Sequence, residues 1–208
     1  DGIYRNSLQN EHAKYANYNN LITKIVGDLT ATTRFGINET FNTIQMDNVP
    51  FPRLHFLIAS MYPLIPRAKP DAIYDDSIHA LTKETYSSKH FSVKMDDFNA
   101  EEDRNMAVSF FMRGPEIEKY MLQTNEAIHS LLRNKCMHFL EWTAAKPMVK
   151  FVSGQKAAEW KSDDMLMADK QVAMMANNTC VTRLFAERVA KLFDKLYAKR
   201  CYVHHYVG

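Results

Sequence analysis

In this chain of 208 residues, few histidines, cysteines and glycines stand at spacings typical of metal, catalytic or phosphate-binding sites. His204 and His205 are adjacent, His138 lies far before them, and no carboxylate or thiol stands at a metal-ligand spacing from them. Cys180 has no evident base in the sequence, which favours a buried thiol over a nucleophile. The six glycines form neither a G-x-G-x-x-G nor a G-x-x-x-x-G-K loop for phosphate. We therefore expect no metal site, and spacing alone identifies no catalytic residue.

Other polar motifs have simpler structural interpretations. Acidic pairs, among them Asp163-Asp164, lie in polar stretches and are interpreted as solvated surface. Two stretches match the glycosylation sequon, Asn38-Glu39-Thr40 and Asn177-Asn178-Thr179. We interpret both as helix caps, because Asn and Thr side chains accept hydrogen bonds from the free N–H groups of a helix start.

Composition is that of an ordinary globular protein, with 46% hydrophobic and 24% charged residues. The net charge of +2 gives little attraction to nucleic acid or to a membrane surface. No apolar run is long enough to cross a bilayer. The three cysteines have no pairing pattern, which favours a reducing compartment. We expect a cytosolic protein that binds neither nucleic acid nor membrane.

The first half of the chain is predicted to hold a long helix, a short helix and a strand. Residues 15–33 have apolar side chains at helical intervals, which predicts a buried stripe of Tyr15, Tyr18, Leu21, Ile22, Ile25, Val26 and Leu29. Nearby asparagines at 17, 19 and 20 are expected to cap this helix. Residues 38–47 are predicted to form two helical turns capped by Asn38. Pro50 and Pro52 then force an extended entry into a strand over 53–62.

The second half alternates single strands with single helices. Strands are predicted at 106–114 and 170–177, extended pieces at 137–142 and 148–154, and a helix over 115–132. A last helix begins at Thr179, and its inward side chains are predicted to be Leu184, Phe185, Val189, Leu192 and Phe193. This alternation predicts an α+β fold in which helices cover a sheet.

Three segments resemble the tubulin family, and they occur in the family's order along the whole chain. They are "YANYNNLITKIVGDLTATTRF" at 15–35, "NVPFPRLHF" at 48–56 and "LFDKLYAKRCYVHHYVG" at 192–208. The chain resembles the α type more than the β type, because it has the motif "YAKR" and a long spacing between the strands near Phe151 and Val172.

The resemblance implies a fold and a domain division. The expected fold is a mixed β-sheet flanked by helices, a two-layer sandwich like the tubulin intermediate domain, preceded by a long N-terminal core helix. Residues 1–36 would be the end of the nucleotide-binding domain with the core helix. Residues 37–208 would be the intermediate domain, ending before the C-terminal helices. The chain is thus expected to be a piece of a longer protein.

The resemblance also implies a function. A divergent α-tubulin-like subunit would bind GTP with Mg²⁺, whose ligands lie in the family's N-terminal domain. It would pair longitudinally with β-type tubulin in microtubule-type polymers of the cytoplasmic cytoskeleton, with neighbouring tubulin subunits and microtubule-associated proteins as further partners. In the family an aromatic ring stacks on guanine and an asparagine four residues later binds the edge of the base. Tyr15 and Asn19 match these positions; the alternative is that Tyr15 is core and Asn19 a cap.

Two departures from the family pattern bear on activity. In α-tubulin a glutamate of the short helix helps to activate water at the GTP of the next subunit, and Thr43 stands at that position. Glu39, one turn earlier on the same face, is a weak substitute. The loop of the side-to-side contacts has Pro66 and Pro70, and Asp71-Ala72 replaces a tyrosine-histidine pair, although Tyr74 is close.

These departures favour an alternative to the cycling subunit. In that alternative the protein is a tubulin-derived structural or capping element that does not hydrolyse GTP. A third possibility is an interaction module without a nucleotide site, against which the residues at 15 and 19 argue.

Overall fold

The computed structural model describes residues 2–35, 40–70, 74–93, 98–99, 102–115, 117–143, 149–154 and 164–207. Its helices are α1 (Gly2–Asn6), α2 (Tyr15–Arg34), α3 (Phe41–Asn48), α4 (Ile78–Thr85) and α5 (Met121–Arg133). Its strands are β1 (Ile58–Tyr62), β2 (Ile65–Pro66), β3 (Asn105–Arg113), β4 (Val149–Gly154), β5 (Met165–Leu166) and β6 (Gln171–Asn178). Short 3₁₀ turns span Ser88–His90 and Ile117–Tyr120. The C-terminal helix comprises Val181–Arg183, a π-helical stretch Leu184–Ala190 and Lys191–Ala198, and His204–Val207 adds one further turn.

The main sheet is mixed, with strand order β1-β6-β3-β4. Strand β6 runs antiparallel to both β1 and β3, while β3 and β4 are parallel. Phe110 of β3 pairs with Met174 of β6 on one side and with Phe151 of β4 on the other. A second, two-stranded ribbon pairs β2 with β5. The mixed sheet flanked by helices confirms the predicted α+β fold.

Strand β3 is buried along all nine residues because helices cover both faces of the sheet. Successive side chains of a strand point to opposite faces, so the two cores alternate along it. Phe110 packs with Leu81 of α4 and Leu131 of α5. Phe111 packs on the other face with Leu21 and other residues of α2. The long first helix therefore covers the face opposite to α4 and α5.

Helix α2 begins at Tyr15, as predicted, but only part of its apolar stripe is buried. The Lys14 N–H donates to Asn17 Oδ1 at 2.7 Å, so Asn17 alone of the three asparagines caps this helix start. Leu21, Ile25 and Leu29 are buried. The predicted burial of Tyr15, Ile22 and Val26 is wrong, because these side chains point away from the sheet and are at least half exposed.

Other boundaries also differ from the predictions. Helix α3 is capped by Thr40, and the predicted cap Asn38 lies outside the described residues. Strand β1 begins at Ile58, five residues later than predicted. The segment 137–142 contributes a single bridge, Phe139 to Asn105, rather than a strand.

The predicted inward packing of the C-terminal helix is wrong. The structure buries no residue between Val181 and Ala198. Phe185, Val189, Leu192 and Phe193 are each more than two-fifths exposed. Helical periodicity of apolar side chains identifies an apolar face but does not say what covers it. Among the described residues, no helix combines the length and the apolar character needed to cross a membrane.

Candidate functional site

The two residues that match the family's guanine contacts lie on the surface at the start of α2. Tyr15 is the first residue of the helix, and its side chain is 87% exposed. Asn19 is exposed one helical turn later. Residues four apart share a face of a helix, about 6 Å apart along its axis. Tyr15 is therefore not a core residue of this chain, and the side chain that accepts the N–H of the N-cap residue Lys14 is that of Asn17 rather than Asn19.

Chemically, the two side chains are of types that can contact a purine base. An accessible phenol ring can stack on a purine, and the Asn amide carries both donors and an acceptor for the edge of the base. The part of the chain described by the structure holds no group of three His, Cys, Asp or Glu side chains that could bind a metal ion.

A polar cluster of Tyr4, Asn17, Asn20 and Asp164 stabilises the start of α2. Asn17 Nδ2 donates to the Asp164 carboxylate, and Asn20 Nδ2 lies 3.5 Å from the same oxygen. The buried Tyr4 hydroxyl donates to the Asn17 carbonyl. Burial raises the pKa of Tyr4, and the Asp164 carboxylate raises it further. The interpretation of Asp164 as solvated surface is wrong, since its side chain is a partly buried acceptor that joins distant segments.

A second polar cluster lies between the middle of α2 and the sheet. Lys24, Asp28 and Arg113 are each no more than 5% exposed. Lys24 Nζ donates to Gln171 Oε1 at 3.1 Å, and Arg113 Nη2 donates to the Asp28 carbonyl at 3.1 Å. Burial raises the pKa of Asp28, and the positive charges of Lys24 and Arg113 oppose this. The cluster was missed because its residues interrupt an apolar stripe that predicts a purely hydrophobic face.

Thr43 has a structural role in α3. Its backbone N–H donates to Thr40 Oγ1 at 3.2 Å, and the two hydroxyl oxygens are 2.9 Å apart. Thr43 is thus the third residue of a helix whose cap is Thr40. No carboxylate occupies this position, and Glu39 lies outside the described residues.

The segment 48–56 with its two prolines is fixed by one asparagine of the central sheet. Asn177 Nδ2 donates to the carbonyls of Asn48 at 3.0 Å and Leu54 at 2.7 Å. Ser109 Oγ donates to Asn48 Oδ1 at 3.0 Å. The predicted cap role of Asn177 is wrong: it is 3% exposed and clamps this segment. Asn178 Oδ1 accepts the Cys180 N–H at 2.8 Å, as in a local turn.

A cavity of about 220 Å³ lies between the segment 48–56 and the C-terminal helix. Its lining includes Arg53, Phe56, Met106, Val181 and Phe185. The rings of Phe56 and Phe185 lie 4.7 Å apart at this cavity. Most of the lining is apolar, and sequence spacing gave no sign of it because the two walls are far apart in the chain.

The loop after β1 is partly tied to its own domain. Pro66 pairs with Met165 in the β2–β5 ribbon, and Pro70 is exposed. Tyr74 packs against the main core, and burial raises the pKa of its hydroxyl. Tyr74 therefore does not project as a plug for a neighbour. Asp71 and Ala72 lie outside the described residues.

The remaining candidates do not come together. Cys180 is 1% exposed, and burial, with the nearby Asp103 carboxylate, raises the pKa of its thiol to about 11. A thiol with such a pKa stays protonated near neutrality, which agrees with the predicted buried thiol. His138 is half-buried, whereas His204 and His205 are exposed on the last helical turn.

The structure is an α+β domain in which a long helix lies across one face of a mixed sheet. The exposed residues Tyr15 and Asn19 lie at the start of that helix. The model of the family described as "Tubulin C-terminal domain" matches residues 52–190, well over half of the chain. This chain belongs to the tubulin family.

The relatives that it matches include α-tubulin chains. It is 31% identical over 211 residues to the tubulin alpha-2 chain of Eleusine indica, and 28% identical over 208 residues to the tubulin alpha-6 chain of Naegleria pringsheimi. Each of these matches covers 99% of this chain but 44% of the relative. The tubulin alpha chain of Dictyostelium purpureum is 30% identical, and the match covers 61% of it. The chain thus spans less than half the length of the first two relatives.

Proposed function

We propose that the protein is a divergent α-tubulin-like subunit that binds GTP and pairs longitudinally with a β-type tubulin. It would be a structural component of microtubule-type polymers in the cytoplasm, in contact with neighbouring tubulin subunits and open to microtubule-associated proteins. The observation that carries the proposal is the exposed pair of Tyr15 and Asn19 on one face of the α2 start. Mg²⁺ would accompany the nucleotide, with ligands outside the residues that this chain supplies.

The chemistry of the pair supports guanine as the base. The Tyr15 ring supplies a flat face, and the Asn19 amide can accept from and donate to the edge that distinguishes guanine from adenine. In the 208-residue chain the Tyr15 side chain is 87% exposed, so its ring is accessible to a base.

A second candidate function is a non-hydrolysing structural or capping element derived from tubulin. The observation that favours it is Thr43, whose hydroxyl takes part in the Thr40 cap and carries no negative charge to polarise a water molecule. In this version the protein binds nucleotide and a tubulin partner but does not promote hydrolysis at the next subunit.

The proposal is tested by comparing the GTP affinity of a Tyr15→Ala variant with that of the wild type. The complete natural polypeptide is coexpressed with a β-type tubulin, and GTP binding is measured by competition with a fluorescent GTP analogue. Loss of stacking on the base is expected to weaken GTP binding by about tenfold. Tyr15→Phe, which keeps the flat ring, should bind GTP nearly as well as the wild type.

Tyr206→Ala is the matched control, since this tyrosine is 89% exposed and lies at the other end of the chain. GTP affinity that is the same for Tyr15→Ala and Tyr206→Ala would refute the nucleotide assignment.

A further inference from the structure

We propose that Asp164 is a positioning residue for base recognition: its carboxylate holds the start of α2 so that Tyr15 and Asn19 face the base together. This inference rests on the proposed function and names a residue that does not touch the nucleotide. Asp164 lies 147 residues from Asn17 in sequence, and the Asn17 side-chain amide donates to it directly.

Because of the helix geometry, this contact determines the direction in which the first turn of α2 faces. With 3.6 residues per turn, Tyr15 and Asn19 point in nearly the same direction, whereas Asn17 points to the opposite side. Asn17 and Asn20 both direct their side-chain nitrogens to one oxygen of Asp164, Asn20 from 3.5 Å. Rotation of the first turn about its axis would break these contacts, so the carboxylate fixes the direction in which Tyr15 and Asn19 point.

Asp164 is itself held by a backbone hydrogen bond and by the strand that follows it. Its carbonyl accepts the Arg67 N–H at 2.9 Å. The next residue, Met165, is 2% exposed and pairs with Pro66 in the β2–β5 ribbon. The carboxylate therefore projects from an anchored ribbon, and charge-assisted hydrogen bonds from amides to a carboxylate are stronger than neutral ones.

The same cluster also fixes the cap of α2. Asn17 Oδ1 accepts the Lys14 N–H at 2.7 Å while its Nδ2 donates to Asp164. The Tyr4 hydroxyl, which lies near the Asp164 carboxylate, donates to the Asn17 carbonyl. Every hydrogen bond of the Asn17 side chain thus depends on the amide orientation that Asp164 sets. Binding sites need such supporting contacts, because a displacement of a fraction of an ångström weakens hydrogen bonds to a ligand.

The consequence is a specific defect when Asp164 is replaced. A loosened helix start should weaken the hydrogen bond that Asn19 Oδ1 would accept from the exocyclic amine of guanine more than it weakens the stacking on Tyr15, because hydrogen bonds depend steeply on angle. Inosine lacks the exocyclic amine of guanine, so the preference for GTP over ITP reports on that hydrogen bond. The preference is measured on folded protein, and a purely structural role of Asp164 would not change it.

The experiment compares Asp164→Ala and Asp164→Asn in the complete natural polypeptide coexpressed with β-type tubulin. GTP and ITP affinities are each measured by competition with a fluorescent GTP analogue. Asp164→Ala should reduce the GTP-over-ITP preference by about tenfold, the order seen for other supporting contacts. Asp164→Asn should retain an intermediate preference, because its amide oxygen still accepts from Asn17. If Asp164→Ala does not fold, the GTP-over-ITP preference of Asp164→Asn tests the inference instead.

Asp169→Ala is the matched control, since Asp169 is exposed in the same segment. An unchanged preference in Asp164→Ala, or in Asp164→Asn where only that variant folds, would overturn this inference. The proposed function would then survive as long as Tyr15→Ala still weakens GTP binding. Unchanged GTP binding in Tyr15→Ala would instead overturn the proposed function, and this inference with it.

Discussion

At the scale of single residues, the resemblance to the tubulin family aligns Thr43 with a glutamate, and this alignment predicts a direct chemical consequence. A hydroxyl cannot supply the negative charge that orients and polarises an attacking water. Its own hydrogen bonds are with Thr40, at the start of α3. The residue therefore stabilises the start of α3, at the position that the resemblance aligns with the family's glutamate.

Thr43→Glu should raise GTP turnover in copolymers with β-type tubulin, by about a hundredfold if the carboxylate acts as a general base. The substitution is compatible with the local structure, because Thr40 at the cap and Glu at the third helical position form a capping box. GTP turnover is measured as phosphate release during assembly, beside the uncharged Thr43→Gln. Equal turnover in wild type and Thr43→Glu would show that hydrolysis does not depend on this position.

Single residues also mark the limit of prediction from sequence. Tyr15 and Asn19 could be selected because the segment 15–35 resembles a known helix. Asp164 could not, since its role depends on a contact across 147 residues and its polar neighbours favour a solvated position. Lys24 and Asp28 could not be assigned either, because their partners Gln171 and Arg113 are on strands.

At the scale of elements, the extent of α2 was predictable and the start of β1 was not. Strong helical periodicity specified 15–33, and the helix is Tyr15–Arg34. The apolar run after Pro52 predicts a strand from residue 53, yet β1 begins at Ile58. The difference arises from Asn177, whose side chain satisfies the Asn48 and Leu54 carbonyls in place of a neighbouring strand.

Asn177→Ala should therefore lower the free energy of unfolding by about 2–3 kcal/mol, because two carbonyls near the core lose their donor. Urea unfolding of the 208-residue chain measures this change. Trypsin cleavage after the exposed Arg53 should also accelerate, since Arg53 lies within the released segment.

The exposed Asn134→Ala is the control for this experiment; it removes a surface hydrogen bond to Ser130 Oγ. A loss of stability in Asn177→Ala no larger than in Asn134→Ala would show that the clamp contributes little.

At the scale of the whole molecule, the structure has two well-packed cores and an uncovered apolar surface. The sheet faces are filled by α2 on one side and by α4 and α5 on the other. The C-terminal helix also has a stripe of apolar side chains, but of these only Phe185 is in ring contact with the segment 48–56, and Val189, Leu192 and Leu196 are each about half exposed or more in the described part of the chain. Helical periodicity predicts an apolar face in both cases, and only the three-dimensional arrangement shows which face is covered.

The isolated 208-residue chain should therefore self-associate, because exposed apolar stripes of this kind drive association in water. Leu192 and Leu196 are 61% and 48% exposed on this stripe. Replacing both with Gln should shift the chain toward monomer in sedimentation velocity at micromolar concentrations, with little loss of stability, since neither side chain is buried. Leu122→Gln is the control: this leucine is 79% exposed but lies on α5, apart from the stripe. Self-association that persists in the double variant, or that is lost equally in Leu122→Gln, would show that a different surface mediates association. The exposed rings of Phe51 and Phe56 would then be the next residues to replace.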